Sequence, residues 1–341
     1  MTELVLPQSR LKSSAIDSLL AEYSGNVPGA SLMVIHNGKV AYKHSYGMAD
    51  IEKAVPVTAK TNFRLASVTK EFTATAIMLL VKKGKLNYDD NLTQIFPGFP
   101  GYGKKITITD LLNHTSGLID YESLIPATDT VQVTDKDVLE MMMKQDSTYF
   151  EPGSKYQYSN TGYALLAMIV EKVTGKPFAR FLKENIFKPL GMKNSIAYQK
   201  GISEVKNRAY GYSRKNGGFV RDDQSVTSAV LGDGGIYSSV DDLFKWDQSL
   251  YTGKIIPLKM KEKSFTRGTL SNGEKIDYGF GWHLKKFLGH EVVFHTGVTR
   301  GFRNVIYRIP SLKVTVIMLT NRNEGDSESL AEKIVSLYLN D

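Results

Sequence analysis

The sequence predicts an α/β (α+β) fold: one antiparallel sheet, flanked by N- and C-terminal helices, with an all-helical domain inserted into it. Three observations lead there. Near the start, Ser31-Leu-Met-Val-Ile-His36 and Lys39-Val-Ala-Tyr-Lys-His-Ser-Tyr46 are β-rich runs joined by Asn37-Gly38, the signature of a type I′ hairpin. Near the end, strand-like runs at residues 291–295, 304–309 and 313–319 precede an amphipathic stretch at 327–339. Between them, from residue 67 to about residue 221, apolar residues recur mainly at helical spacing. The two ends would therefore share one sheet. The expected division is 1–66 with 222–341 as a discontinuous sheet domain and 67–221 as the helical domain.

The elements follow in order. Residues 11–23 carry Leu11, Ala15, Ile16, Leu19 and Leu20 on one helical face, and the helix should end near Gly25. The hairpin comes next, and residues 56–65 lead into a longer helix. From Thr69 to about Lys83 the chain reads Ala, Met, Leu and Val at helical spacing with no Gly or Pro. A short helix starts at 107–112. Another spans 134–144, with Thr134 and Asp137 placed as a cap pair. A third, 161–173, is stopped by Gly175-Lys176-Pro177, and a fourth, 178–186, is closed by Pro189-Leu-Gly-Met192. A helix near 240–250 precedes the C-terminal strands.

Composition narrows the functional classes. A chain of 341 residues, 42% hydrophobic, can bury one large core or two medium ones. It has no apolar run of the ~18 residues that suggests a membrane span. The first residues, Met1-Thr2-Glu3-Leu4-Val5-Leu6-Pro7, do not read as a signal peptide, so the expectation is a cytoplasmic protein or one whose leader has been removed. Zero cysteines exclude disulfides, thiolate metal sites and a cysteine nucleophile. The net charge of +8 is scattered in pairs such as Lys82-Lys83 and Lys285-Lys286, with no basic stripe interleaved with aromatics. A solvated surface is expected rather than a nucleic-acid partner.

The chemistry centres on Ser67-Val68-Thr69-Lys70. A serine at the mouth of a helix with a lysine three residues on places hydroxyl and amine on one face, one turn apart. The free N–H groups of the helix start lie where negative charge would develop on a reacting oxygen. A serine can thus be activated without histidine. The competing reading makes Ser67 a plain N-cap. S-x-x-K also occurs at Ser9/Lys12 and Ser203/Lys206, so the motif alone does not decide.

Two more motifs do. Tyr158-Ser159-Asn160 follows Glu151-Pro152-Gly153 and precedes a helix, and His295-Thr296-Gly297 ends a predicted strand. Y-x-N recurs at Tyr338-Leu339-Asn340, but inside the terminal helix. In this order and context the three motifs resemble the serine β-lactamase and penicillin-binding-protein superfamily. Leu111-Leu-Asn-His-Thr-Ser-Gly-Leu118, Pro189-Leu-Gly-Met192 and Gly234-Gly-Ile-Tyr-Ser-Ser-Val-Asp-Asp-Leu243 also look like its wording, so the likeness covers nearly the whole chain. The nearest branch holds class C β-lactamases, D-alanyl-D-alanine carboxypeptidases, D-aminopeptidases and β-lactamase-like esterases. The resemblance implies a β-lactamase/transpeptidase-like fold with the serine at the seam between the two parts.

It also implies roles. Ser67 resembles the nucleophile of an acyl-enzyme, Lys70 the amine that takes its proton, and Tyr158 the tyrosine that passes protons to the leaving group. For a phenol of ordinary pKa ~10 that last role wants a strongly positive pocket. Asn160 would hold Lys70 and the substrate carbonyl. The backbone N–H groups of Ser67 and Val298 would form the oxyanion hole. Gly297 would let the strand edge approach the substrate, beside Thr296. His295 stands where class C β-lactamases carry lysine, a feature more like some D-alanyl-D-alanine carboxypeptidases. As a neutral imidazole it would donate a hydrogen bond to Tyr158 or to a substrate oxygen. A β-lactam carboxylate would then lack its fixed cation, unless Arg300 or Arg303 supplied one.

The functional expectation is a serine hydrolase acting on carboxylic esters, D-amino-acid peptides or amides, or, weakly, β-lactams, with no cofactor. The alternative is a penicillin-binding protein or sensor that acylates at Ser67 and stalls. An α/β-hydrolase would need G-x-S-x-G, which is absent, and His290-Glu291-Val-Val-Phe-His295 is one residue too long for H-E-x-x-H zinc hydrolysis. His36, His44, His114 and His283 are expected to be structural. Trp282 is assigned equally to pocket or core. Specificity should reside in loops 117–133 and 201–228.

Overall fold

The structure is a computed structural model and describes residues 8–339. Its centre is a six-stranded sheet with the spatial order His283–Phe287, His290–Thr299, Phe302–Ile309, Val314–Thr320, Ala30–His36, Lys39–Tyr46, every pairing antiparallel. The first and last parts of the chain meet where Ala30 pairs with Thr320 and His36 with Val314. The N-terminal hairpin turns through Asn37 and Gly38 at φ 51° and 75°, the two positive angles that a type I′ turn demands.

Alternation along the central strands sends side chains to two cores. Leu32, Val34, Val316 and Met318 pack beneath the terminal helices Gln8–Leu19 and Ser327–Ser336, through Ile16, Ile334 and Val335. Met33, Ile35, Ile306, Ile317 and Leu319 face the larger core, which runs on through the helical block. The helix Thr69–Lys82 is buried at every residue from Thr69 to Leu80, as expected of a central helix rather than an amphipathic surface one.

Several elements differ from the sequence reading. A fourth C-terminal strand, His283–Phe287, forms the sheet edge. Its His-Leu-Lys-Lys-Phe sequence buries only Leu284 fully, and such charge-rich short strands are how edges avoid further pairing. The N-terminal helix ends at Leu19 and residues Ala21–Tyr23 form a separate 3₁₀ turn. The helix from Phe178 stops at Leu182 and continues as a π turn, Lys183–Phe187. Asn216-Gly217 makes a second hairpin turn, with φ 51° and 79°, between the short strands Tyr212–Lys215 and Gly218–Arg221. Trp282 is core, edge-on to Phe265. Among the described residues no helix is long and apolar enough to cross a membrane.

Two features place the serine. The edge strand His283–Phe287 pairs only with His290 to Phe294, so His295 to Thr299 project past it. Phe63–Arg64, paired with Ile236–Ser238, delivers the chain to a 3₁₀ turn, Ala66–Val68, that opens the buried helix. Ala66 sits at φ 50°, a left-handed angle costly for a residue with a side chain.

Candidate active site

Ser67 is half-buried on that turn and Lys70 lies wholly buried one turn on, their Oγ and Nζ atoms 3.1 Å apart. The cap position is Val68, which has no side-chain capping bond, so the N-cap reading of Ser67 fails. Lys70 Nζ also donates to Asn160 Oδ1 at 2.8 Å and to the carbonyl of Asp233 at 3.0 Å. It lies 5.0 Å from the ring centre of Tyr158. Burial holds the Lys70 amine down at about 8, while the carboxylates of Asp233 and Glu122 pull the other way.

The buried Tyr158 hydroxyl has no well-formed hydrogen bond, and the group it interacts with is the Ser67 hydroxyl. Burial pushes this phenol well above its ordinary value and the carboxylates of Asp233 and Glu122 add to the shift; only the Ser67 hydroxyl opposes it. Lys70 brings the positive charge expected from the sequence to the ring, and these two carboxylates oppose it. Tyr158 therefore stays protonated.

The wall around Ser67 is formed by Arg64, Ala66, Tyr121, Glu122, Asn160, Asp233 and Val298 among others, around a cavity of about 60 Å³. Asn160 Nδ2 donates to Glu122 at 2.8 Å and Tyr121 OH to Asp233 Oδ2 at 3.0 Å. Arg64, the one guanidinium on this wall, is spent on the carbonyls of Gly234 and Ser228. A larger cavity, about 660 Å³, lies beside the π turn Lys183–Phe187 and includes none of the predicted site residues, so volume does not locate the chemistry here.

A family model described as beta-lactamase matches residues 15–339. The chain belongs to the beta-lactamase family. Among relatives of this beta-lactamase-family protein, penicillin-binding protein 4* of Bacillus subtilis (strain 168) is 38% identical over 314 residues, 86% of this chain and 68% of its own length. A D-aminopeptidase of Gluconobacter oxydans (strain 621H) is 28% identical over 90% of this chain, which spans 58% of that relative's length. Among solved structures, the octameric penicillin-binding protein homologue from Pyrococcus abyssi superposes with a TM-score of 0.81 at 30% identity, covering 97% of this chain and 77% of the other. D-amino acid amidase from Ochrobactrum anthropi SV3 gives 0.80 at 26%, covering 96% and 99%.

The remaining motif residues of this beta-lactamase-family chain surround the serine turn in different ways. Gly297 meets the serine turn itself: a Cβ there would lie 2.0 Å from the Leu65 carbonyl oxygen, so the glycine lets strand and turn touch. Asn160 holds Lys70 through Oδ1, as expected, and gives one of its two N–H groups to Glu122. His295 is 1% exposed. Its Nδ1–H donates to the Thr296 carbonyl at 2.7 Å, and since a carbonyl cannot donate, Nε2 accepts from Tyr278 OH at 3.0 Å. Both ring nitrogens are spent, so His295 donates neither to Tyr158 nor to a substrate. Val298, by contrast, is 57% exposed and lines the cavity.

Burial, with His283, Lys70 and His114 nearby, holds the His295 pKa well below the usual value. A lowered pKa keeps an imidazole neutral as pH falls through ~6.5. Nitrogen-resolved NMR at pH 5 should show His295 protonated on Nδ1 alone. An imidazolium there would contradict the hydrogen-bond assignment.

Arg300 pairs with Asp222 at 2.9 Å, and Arg303 donates to the carbonyls of Thr299 and Phe302; neither lines the cavity. Among the described residues no cluster of His, Asp and Glu is placed to hold a metal. Sequence reasoning missed Glu122, Asp233 and Tyr278, and read His114 as structural. Glu122 carried one signal, its place in loop 117–133, and His114 another, the Leu111–Leu118 wording.

Proposed function

We propose that this protein is an acyl-enzyme amidase or aminopeptidase whose substrates carry a free amino group beside the scissile bond. The carrying observation is the carboxylate pair on the cavity wall. Glu122 and Asp233 border Ser67, and the one guanidinium there is committed to carbonyls. That pair offers an ammonium two anionic partners and meets a substrate carboxylate as like charge, although Arg64 and Lys70 keep their own positive charge beside it. It disfavours β-lactams and C-terminal carboxylates, and the names of the D-aminopeptidase and D-amino acid amidase relatives support the same choice, with D stereochemistry.

The geometry suggests the steps. The neutral Lys70 amine takes the Ser67 proton as Oγ bonds to the acyl carbon, with the N–H groups of Ser67 and Val298 facing the oxyanion. Tyr158 gives its proton to the leaving nitrogen as the C–N bond breaks, and the proton on Lys70 restores it. Water then releases the acid by the reverse relay. The helical block and the sheet domain would meet at this serine.

D-Amino-acid nitroanilides with a free amine should turn over continuously, and their N-acetylated forms at least ~10-fold less well, the scale of one lost charged contact. Glu122→Gln should erase most of that preference. Equal rates for both forms would overturn the ammonium reading. A burst that stops after one equivalent would instead return the protein to an acylating sensor.

A further inference from the structure

His114 belongs to the Leu111–Leu118 stretch, to which the proposed chemistry gives no task. It ends the short helix Ile108–Asn113 with φ 59°, a left-handed angle that histidine and asparagine tolerate better than most residues. It is 1% exposed. Its ring also meets Tyr163 and Tyr278, but two of its hydrogen bonds converge on one neighbour. The backbone carbonyl of His114 accepts the N–H of Gln157 at 2.9 Å, and its ring Nδ1 accepts the N–H of Ser159 at 3.0 Å. Those two residues flank Tyr158. The imidazole also lies on the Tyr158 ring, with centroids 4.3 Å apart and planes 32° from parallel.

We infer that His114 is a positioning residue for the proton-donating tyrosine, gripping the chain on both sides of Tyr158 and backing its ring. The inference rests on the reading of Tyr158 as the donor to the leaving group.

The Tyr158 hydroxyl has no well-formed hydrogen bond to fix it, only its interaction with the Ser67 hydroxyl, so its place depends on the backbone and on ring packing. Backbone control is what His114 supplies. Ser159 is buried, and losing the acceptor would strand its N–H, so the loop would shift to find another partner. A displacement of ~1 Å at a reacting group can cost ~100-fold in rate. Histidine meets three demands together: the left-handed backbone, an acceptor at the Nδ1 position, and a flat ring for the phenol. Its low pKa, caused by burial and then by Lys70 and His283, keeps Nδ1 free to accept. A histidine serving only as core filler would have no reason to place both bonds beside the same side chain.

Two variants separate these demands. His114→Asn keeps the left-handed angle and presents Oδ1 where Nδ1 lies, whereas His114→Phe keeps a ring and loses the acceptor. With whichever chromogenic substrate turns over, His114→Phe should lower kcat by at least ~10-fold with KM changed less than ~2-fold, and His114→Asn should return to within ~3-fold of the parent. In a Tyr158→Phe background the same His114→Phe change should cost less than ~2-fold, because the group it positions is gone. Full additivity in that cycle, or an asparagine variant no better than phenylalanine, would overturn the inference. If Tyr158→Phe alone leaves the rate unchanged, the donor reading fails first and takes the inference with it. If Tyr158→Phe is slow but His114→Phe is not, only the inference fails.

Discussion

Ser67→Ala should abolish both hydrolysis and covalent adduct formation while the protein remains folded. The expected loss exceeds ~10⁴-fold, since removing a nucleophile leaves only binding and the oxyanion donors. Folding should tolerate the change. The hydroxyl caps nothing, and its loss deprives Lys70 of one acceptor out of three. Intact-protein mass spectrometry with an activated ester or amide, followed by peptide mapping, reads the result. The other S-x-x-K serines make good internal controls. Ser9 lies exposed on the N-terminal helix, and Ser203 is tied into a turn with Gln199. An adduct on either of them, or one that survives Ser67→Ala, would refute the site.

Lys70→Ala and Tyr158→Phe should each slow turnover by at least ~100-fold, and the double variant should be little worse than the slower single one, because both groups serve one proton path. A double loss equal to the product of the two would argue for independent roles. The two differ in their cost to folding. Tyr158→Phe removes a hydroxyl with no well-formed hydrogen bond, so the melting temperature should barely move. Lys70→Ala strands Asn160 Oδ1 and the Asp233 carbonyl, each worth about 1–3 kcal/mol if left buried and unpaired. The pH profile carries the sign. Lys70 must be neutral to accept the serine proton, and its pKa is lowered to about 8 by burial. At pH 7 only roughly a tenth of molecules would hold the free amine. In the parent, kcat/KM for a substrate without ionisable groups should therefore climb as pH rises through about 8 and then level off. A profile flat from pH 6 to 9 would remove Lys70 from the role of base.

Much of this molecule was legible in its sequence because the signals were local. Asn37-Gly38 between alternating runs specifies its hairpin through backbone angles that few other residue pairs accept. The Thr134–Asp137 cap pair forms as read, each side chain bonding the other's backbone. Ser67 and Lys70, three residues apart at a helix start, meet by helix geometry alone. What the sequence left open depends on which distant segments share a wall. Glu122 and Asp233 set two carboxylates against the positive charge expected around Tyr158, and 111 positions separate them in the chain while both border one small cavity. His295 reads as a substrate contact until tertiary packing sets Tyr278 against one nitrogen and the Thr296 carbonyl against the other. His114 reads as one scattered histidine until the loop before Asn160–Thr174 folds over it. Covalent spacing determines the pairs within a turn of each other; burial and charge, which set pKa values and hydrogen-bond partners, exist only once the chain has closed around them.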